Sequence, residues 1–136
     1  MAIKFTKINM PIDILRTKFD EITSDSEGEV TFQYIQNNTR KNNITRDDKY
    51  LVSYSIYVKN DKNDMFRLHL FNFDYGLKPY PAKLWLYANV MPEIKRDVHI
   101  GTALVTFESE DDLIKFYNKL IEDSNFLSTL NSIYNI

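Results

Sequence analysis

The sequence of 136 residues contains no cysteine. A disulfide scaffold, a thiolate zinc site and a cysteine nucleophile are therefore excluded. Glycine and proline are also scarce, with three and four residues. Because phosphate-binding loops need closely spaced glycines, the isolated Gly28, Gly76 and Gly101 form neither a dinucleotide-binding nor a Walker-type motif.

The chain also lacks a surplus of positive charge and a long apolar run. Its formal net charge is −2, whereas general electrostatic binding of nucleic acid needs a basic surplus. No apolar run reaches membrane-spanning length, and the first residues lack the apolar segment of a signal peptide. We therefore expect a soluble, cytoplasmic protein with no membrane contact and do not favour nucleic acid as its partner.

Hydrophobic residues make up 43% of the sequence and aromatic residues 14%. This content is sufficient for a core that offsets the conformational entropy lost on folding. A length of 136 residues is typical of one domain, so residues 1–136 are predicted to fold as a single unit.

Helices are predicted near both ends of the chain. Apolar residues recur at helical spacing from Ile12 to Ile22, after Asn9 as a possible N-cap. A second apolar stripe begins after Ser109, which forms a capping-box pattern with Asp112. It continues, past a break near residue 123, towards the end of the chain.

Strands are predicted between these helices. Alternating or apolar runs occur at residues 29–36, 50–59, 65–73, 82–90 and 98–108, and residues 3–8 are a further candidate edge strand. Short connections favour antiparallel pairing. The predicted fold is α+β: a mainly antiparallel sheet of about five strands with an N-terminal helix and a C-terminal helical segment.

The strands at residues 65–90 are predicted to have two different faces. Leu84, Leu86, Ala88 and Val90 alternate with Trp85 and Tyr87, and the aliphatic side is expected to pack under the helices. The other side is predicted to combine rings with polar groups, using Trp85, Tyr87, His69 and Phe71. These rings form either a second core layer or a partner-binding surface, since Trp, Tyr and Arg are enriched at interface hot spots. The burial of Trp85 distinguishes these alternatives.

No pattern in the sequence predicts catalysis, a metal site or a cofactor. His69 and His99 both lie in predicted strands, without metal-ligand spacing or a shared face. The acidic residues Glu108, Glu110, Asp111 and Asp112 are better explained as a helix start than as paired catalytic carboxylates. We therefore predict that the protein is not an enzyme.

A polar loop is predicted at residues 37–49, the one locally basic region. Arg40, Lys41 and Arg46 belong to it, and it has no interleaved aromatic residues of the kind that single-strand nucleic-acid binders use. It is either a solvated loop or a segment that becomes ordered against a protein partner.

The leading functional hypothesis is a protein-binding module that occludes a partner's surface through the Trp85 side of the sheet and the 37–49 loop. In size, acidity and lack of catalytic motifs the chain is similar in type to bacterial and phage immunity proteins and inhibitors, a similarity that rests on no shared motif. One alternative is a small-ligand-binding protein with an aromatic-lined cleft near Trp85. Another is a homo-oligomeric phage or cell structural component whose edge strands, at residues 3–8 or 29–36, pair between subunits.

Overall fold

The protein is described by a computed structural model over residues 2–37, 52–87, 97–99 and 102–136, without side chains at 64, 87, 97–99, 102 and 103. The elements in these ranges are α1 (Pro11–Asp25), β1 (Val30–Gln36), β2 (Val52–Asn60), β3 (Asn63–Tyr75), β4 (Ala82–Tyr87), β5 (Asp97–His99), β6 (Thr102–Phe107), α2 (Glu110–Leu120) and α3 (Ser124–Tyr134). The predicted α+β fold is confirmed, including its N-terminal helix and its C-terminal helical segment.

The strands form one antiparallel sheet in the order β1-β2-β3-β4-β6-β5. β1 to β4 follow one another as a meander, which is the arrangement that short connections favour. β6 lies next to β4, and the three-residue β5 is left at the edge. The β3–β4 pair is therefore in the interior of the described sheet.

Two predicted strands differ from the structure. Residues 3–8 form no strand, and residues 2–9 are all exposed. The predicted strand at residues 98–108 is in fact two strands, because β5 pairs antiparallel with β6 and His99 lies opposite Thr102. In the sequence of residues 98–108 only Gly101 is of a type that is typical of turns, and one glycine does not predict a reversal of the chain.

The N-cap residue of α1 is Met10, one residue later than the predicted Asn9. The Asp13 carboxylate accepts a hydrogen bond from the Met10 backbone N–H at 3.1 Å. Pro11 fits the first turn, where its missing N–H would have no helical acceptor. At the other end, Gly28 adopts φ 83°, a left-handed conformation that favours glycine and closes the helix.

The three helices of the described chain pack on one face of the sheet, which we call the inner face. The Phe19 ring of α1 lies 4.7 Å from Phe32 of β1 and 5.9 Å from Phe71 of β3, measured between ring centroids. Phe126 of α3 lies 6.3 Å from Phe71. These fully or largely buried rings make the core a continuous aromatic layer between helices and sheet.

The capping residues of the C-terminal helices explain their acidic sequence. The Ser109 hydroxyl accepts a hydrogen bond from the Asp112 N–H at 3.3 Å, as predicted. The Asp112 carboxylate in turn accepts from the Glu108 N–H at 2.9 Å. α3 is capped by Asp123, whose carboxylate accepts from the Phe126 N–H at 2.9 Å.

One buried amide connects the sheet to the last helix. Asn60, at the end of β2, donates from Nδ2 to the backbone oxygens of Ile133 and Tyr134 at 3.0 and 3.2 Å. Its Oδ1 accepts from the Lys62 N–H at 2.8 Å. Asn60 is therefore a satisfied polar group in the core that holds the C-terminal end of α3 against the β2–β3 turn.

Candidate functional site

The candidate site is the face of the sheet opposite the helices, which we call the outer face. It consists of the residues that alternate with buried ones along the strands. From β1 to β6 its described members are Thr31, Gln33, Ile35, Ser53, Ser55, Tyr57, Lys59, Arg67, His69, Asn72, Asp74, Lys83, Trp85, Leu104 and Thr106.

Three outer-face residues form a stack, which we call the Tyr57 stack. His69 lies opposite Tyr57 in the β2–β3 register, and their ring centroids are 4.6 Å apart. The Arg67 guanidinium carbon lies 4.1 Å from the centroid of Tyr57, and its Nη1 donates to Gln33 Oε1 at 2.8 Å. Cross-strand contact and a cation–π interaction thus hold three long side chains in a defined arrangement.

The imidazole of His69 is also held by hydrogen bonds within β3. Its Nε2 lies 3.1 Å from the Phe71 backbone oxygen and 2.9 Å from Asn72 Oδ1. Because a backbone carbonyl can only accept a hydrogen bond, we assign the proton of the neutral ring to Nε2. The tautomer and the orientation of His69 are therefore set by its own strand.

A row of short polar side chains continues the site across β2 and β3. The Ser53 hydroxyl donates to Asp74 Oδ1 at 2.7 Å. Ser55 lies 3.2 Å from both Asn72 Oδ1 and Asn37 Oδ1. Neighbouring side chains thus satisfy one another, which pre-orders the surface and lowers the entropy that binding would cost.

Trp85 extends this surface onto β4. It pairs in register with Asn72 of β3 on one side and Leu104 of β6 on the other. The indole is half-buried, whereas its neighbours Leu84 and Leu86 are fully buried on the inner face. Within the described chain Trp85 therefore lies on the face opposite the helices. The order Tyr57–His69–Asn72–Trp85 is a continuous path across three strands.

Phe71 does not belong to this surface, and its predicted position beside Trp85 is wrong. It is fully buried, pairs with Ile56 and Leu86, and contacts Phe19 of α1. The reason is a register shift in the β2–β3 pair: Ile56 pairs with Phe71, but Tyr57 pairs with His69. Leu70 is the extra residue of this bulge, so the alternation of β3 reverses on passing it.

Several predicted site residues lie outside the part of the chain whose side chains the structure describes. These are Tyr87, at the end of β4, and Arg40, Lys41 and Arg46, in the predicted 37–49 loop. The side chain of His99 is outside it too. Of the seven predicted site residues, the structure brings His69 and Trp85 onto one face.

Tyr57 and Arg67 are central to the stack, although neither is among the site residues predicted from the sequence. Alternation along the sequence puts Tyr57 on the same side of its strand as Ser53 and Ser55, and Arg67 on the same side of β3 as His69. One feature of the sequence could have identified them. β2 and β3 are joined by a short turn, so they pair as a hairpin, and Tyr57 then lies opposite residues just after residue 65. To name the residue opposite Tyr57, the register of the two strands must be known. The bulge shifts that register, and the periodicity of the sequence does not predict the shift.

A concave feature lies on the helix side of the sheet. It is an open groove of about 490 Å³ between the end of α1, the start of β1 and helices α2 and α3. Burial, with the carboxylates of Glu21 and Asp25, raises the pKa of Tyr117 in its wall to about 12. Trp85 is not among its lining residues, so it is not the cleft that the small-ligand alternative predicts.

Among the residues that the structure describes, no three histidine, aspartate or glutamate side chains come together as a metal site. No helix in the same ranges has the length and hydropathy to cross a membrane. Comparisons of the chain with protein-family models, with curated proteins and with solved structures found no match.

Proposed function

We propose that this protein is a non-enzymatic protein-binding module that occludes a partner's surface with the outer face of its sheet. The observation that carries the proposal is the half-buried Trp85 next to the Tyr57 stack, on a sheet face that the described helices leave open. Trp, Tyr and Arg are the residues most enriched at hot spots of protein interfaces.

The charge of the outer face indicates what kind of surface it fits. Its described residues include three basic side chains, Lys59, Arg67 and Lys83, and one acidic side chain, Asp74. The chain as a whole carries a net charge of −2, so positive charge is concentrated on this face. We infer that the partner presents an acidic protein surface, because complementary potentials speed and orient association.

Nucleic acid is a weaker fit to the same face. Binding of single strands relies on aromatic rings whose faces are open to stack on bases. The Tyr57 ring is already stacked on His69 and lies under Arg67. This engagement supports a protein partner, which can bury the edges of the stack and accept hydrogen bonds from the guanidinium.

The test is a capture experiment from the native host with wild type, Trp85→Ala and Leu77→Ala. Leu77 is 79% exposed and lies in the connection between β3 and β4, away from the outer face. We expect one protein to be retained by wild type and Leu77→Ala and lost by Trp85→Ala. With the purified partner, Trp85→Ala should weaken the Kd by about 30-fold, since hot-spot truncation costs about 2 kcal/mol or more.

Trp85 is the only tryptophan, so it is also a reporter. Protein labelled with 5-fluorotryptophan should give one ¹⁹F resonance, and the partner should shift it. An unchanged resonance in a saturated complex would overturn the proposed site, as would equal partner binding by Trp85→Ala. Binding of oligonucleotides with loss on Trp85→Ala would replace the protein partner by a nucleic acid.

A further inference from the structure

Residues 2–9, which we call the arm, expose more apolar surface than any other short segment described. The arm forms no helix or strand, and each of its residues is exposed. Its large apolar side chains are 79% exposed at Ile3, 90% at Phe5 and 60% at Ile8. Clustered exposure of this kind marks an interaction site.

Within the described ranges, the edge of the sheet at β1 carries none of the features that protect sheet edges. In the described chain β1 has one neighbour, β2, and their pairing runs without a register shift. The sequence of β1, VTFQYIQ, contains neither a charged residue nor a proline, although charges, prolines and bulges are the features that protect sheet edges from added strands. The opposite edge, β5, is only three residues long.

The arm has the pattern of a strand that could continue this edge. Ile3 and Phe5 alternate with Lys4 and Thr6, which is the period of a strand with one apolar face. Beside β1, the apolar pair would extend the inner face and the polar pair the outer face. The inner side chains that it would cover are two half-buried rings, Phe32 and Tyr34.

The charges of the two segments are complementary. The arm carries Lys4 and Lys7 and no acidic residue. Residues 11–29, which form α1 and lead into β1, contain six acidic and two basic residues, a net charge of −4. α1 packs directly on β1 through Phe19 and Phe32.

We propose that the arm of one copy of this chain pairs as an added strand with the free edge of β1 in a second copy, and reciprocally, so that the protein dimerises by exchanging arms. A second copy is the occupant because the arm in the structure is not paired with its own sheet and leaves its apolar side chains in water. The proposal uses no outer-face hot-spot residue and is independent of the function proposed above.

The first test measures the mass of the full chain in solution by sedimentation equilibrium and light scattering. We expect a dimer for wild type, and at least a tenfold weaker dimer for Phe5→Asp and for Thr6→Pro, which removes a backbone donor from the arm. Leu77→Asp is the control, because Leu77 is as exposed as Ile3 but lies elsewhere. The arm variants should keep the circular dichroism of wild type.

The second test locates the contact. Since the chain has no cysteine, single-cysteine chains can be mixed in pairs under oxidising conditions. We expect a disulfide-linked heterodimer when Lys4→Cys or Thr6→Cys is mixed with Gln33→Cys of β1, and none when Leu77→Cys is mixed with Gln33→Cys. A disulfide forms only where Cα atoms approach within about 7 Å.

Three results would overturn the proposal. They are a wild-type protein that stays monomeric at high concentration, a dimer indifferent to both arm variants, and cross-linking no stronger from the arm than from Leu77. Trp85→Ala should remain a dimer, so failure of the outer-face proposal and failure of this one are distinguishable. An arm that proves necessary for capturing a different protein, in a monomeric chain, would assign the edge to that protein instead.

Discussion

The two faces of the sheet belong to the same strands but are built from different chemistry. On the inner face, fully buried rings such as Phe71 and Phe73 pack against the helices. On the outer face, serines, amides and the Tyr57 stack contact one another. The inner face thus derives its stability from excluding water. The outer face gains order from cross-strand contacts among its own side chains.

The faces also differ in the burial and hydrogen bonding of their polar side chains. Asn60 is a buried polar residue on the helix side, and each of its amide groups is bonded. Polar groups of the outer face such as Ser53 and His69 are only partly buried and bond within the face. Loss of one group should therefore cost more on the inner face, because water can replace a lost partner on the outer one.

The largest expected difference concerns a buried and an exposed phenylalanine of β3. Phe71→Ala should lower the free energy of unfolding by about 3–5 kcal/mol, since it removes a ring that contacts α1, α3 and the sheet. Phe66→Ala is the matched control, because Phe66 is 43% exposed, and it should cost less than about 1 kcal/mol. Urea denaturation monitored by circular dichroism gives both values. Equal losses would contradict the burial of Phe71 between helices and sheet and the exposure of Phe66.

A smaller difference is expected between two asparagines. Asn60→Ala leaves the Ile133 and Tyr134 oxygens without this donor and should cost about 2 kcal/mol. Asn72→Ala on the outer face should cost about half as much or less, since water reaches its partners. Hydrogen exchange of α3 should increase selectively in Asn60→Ala. If α3 is unaffected, Asn60 does not hold the helix as the structure indicates.

The smallest expected effect lies within the Tyr57 stack. Arg67→Ala should lower stability by about 0.5–1 kcal/mol through loss of the cation–π contact and of the bond to Gln33. Arg67→Lys keeps the charge but loses the planar group, and should recover only part of this. Thermal melts of the three proteins provide the measurement. A loss above 2 kcal/mol would show that the stack supports the core and not only the outer face.

Much of the fold could be predicted because most elements repeat a simple period. In α1 the apolar residues Ile12, Leu15 and Phe19 recur at helical spacing, and all three are buried. β4 alternates Leu84 and Leu86 with Trp85, and burial follows that alternation. Ser109 and Asp112 cap α2 as expected. Local steric and hydrogen-bonding preferences are sufficient at these positions, since each pattern is complete within one element.

The candidate site was predicted less well because it depends on how strands align. Trp85 and His69 were placed on one face correctly, but Phe71 was assigned to the wrong face and Tyr57 was not identified as a site residue. A bulge of one residue is enough to reverse a strand's alternation, and the bulge is defined by the pairing of β2 with β3. Pairing joins residues distant in sequence, so no local pattern reports it.

The sequence by itself determined the α+β class, the positions of the helices, the absence of thiol chemistry and the two-faced character of β4. These follow from composition and from periods of 2 and 3.6 residues, which the backbone imposes on any chain. Only the tertiary structure decided that Leu70 is bulged, that residues 98–108 contain two antiparallel strands and that the arm stays off its own sheet. Each of these depends on which strands pair with one another. That choice is set by the free energy of the whole sheet, which the sequence of one segment does not determine.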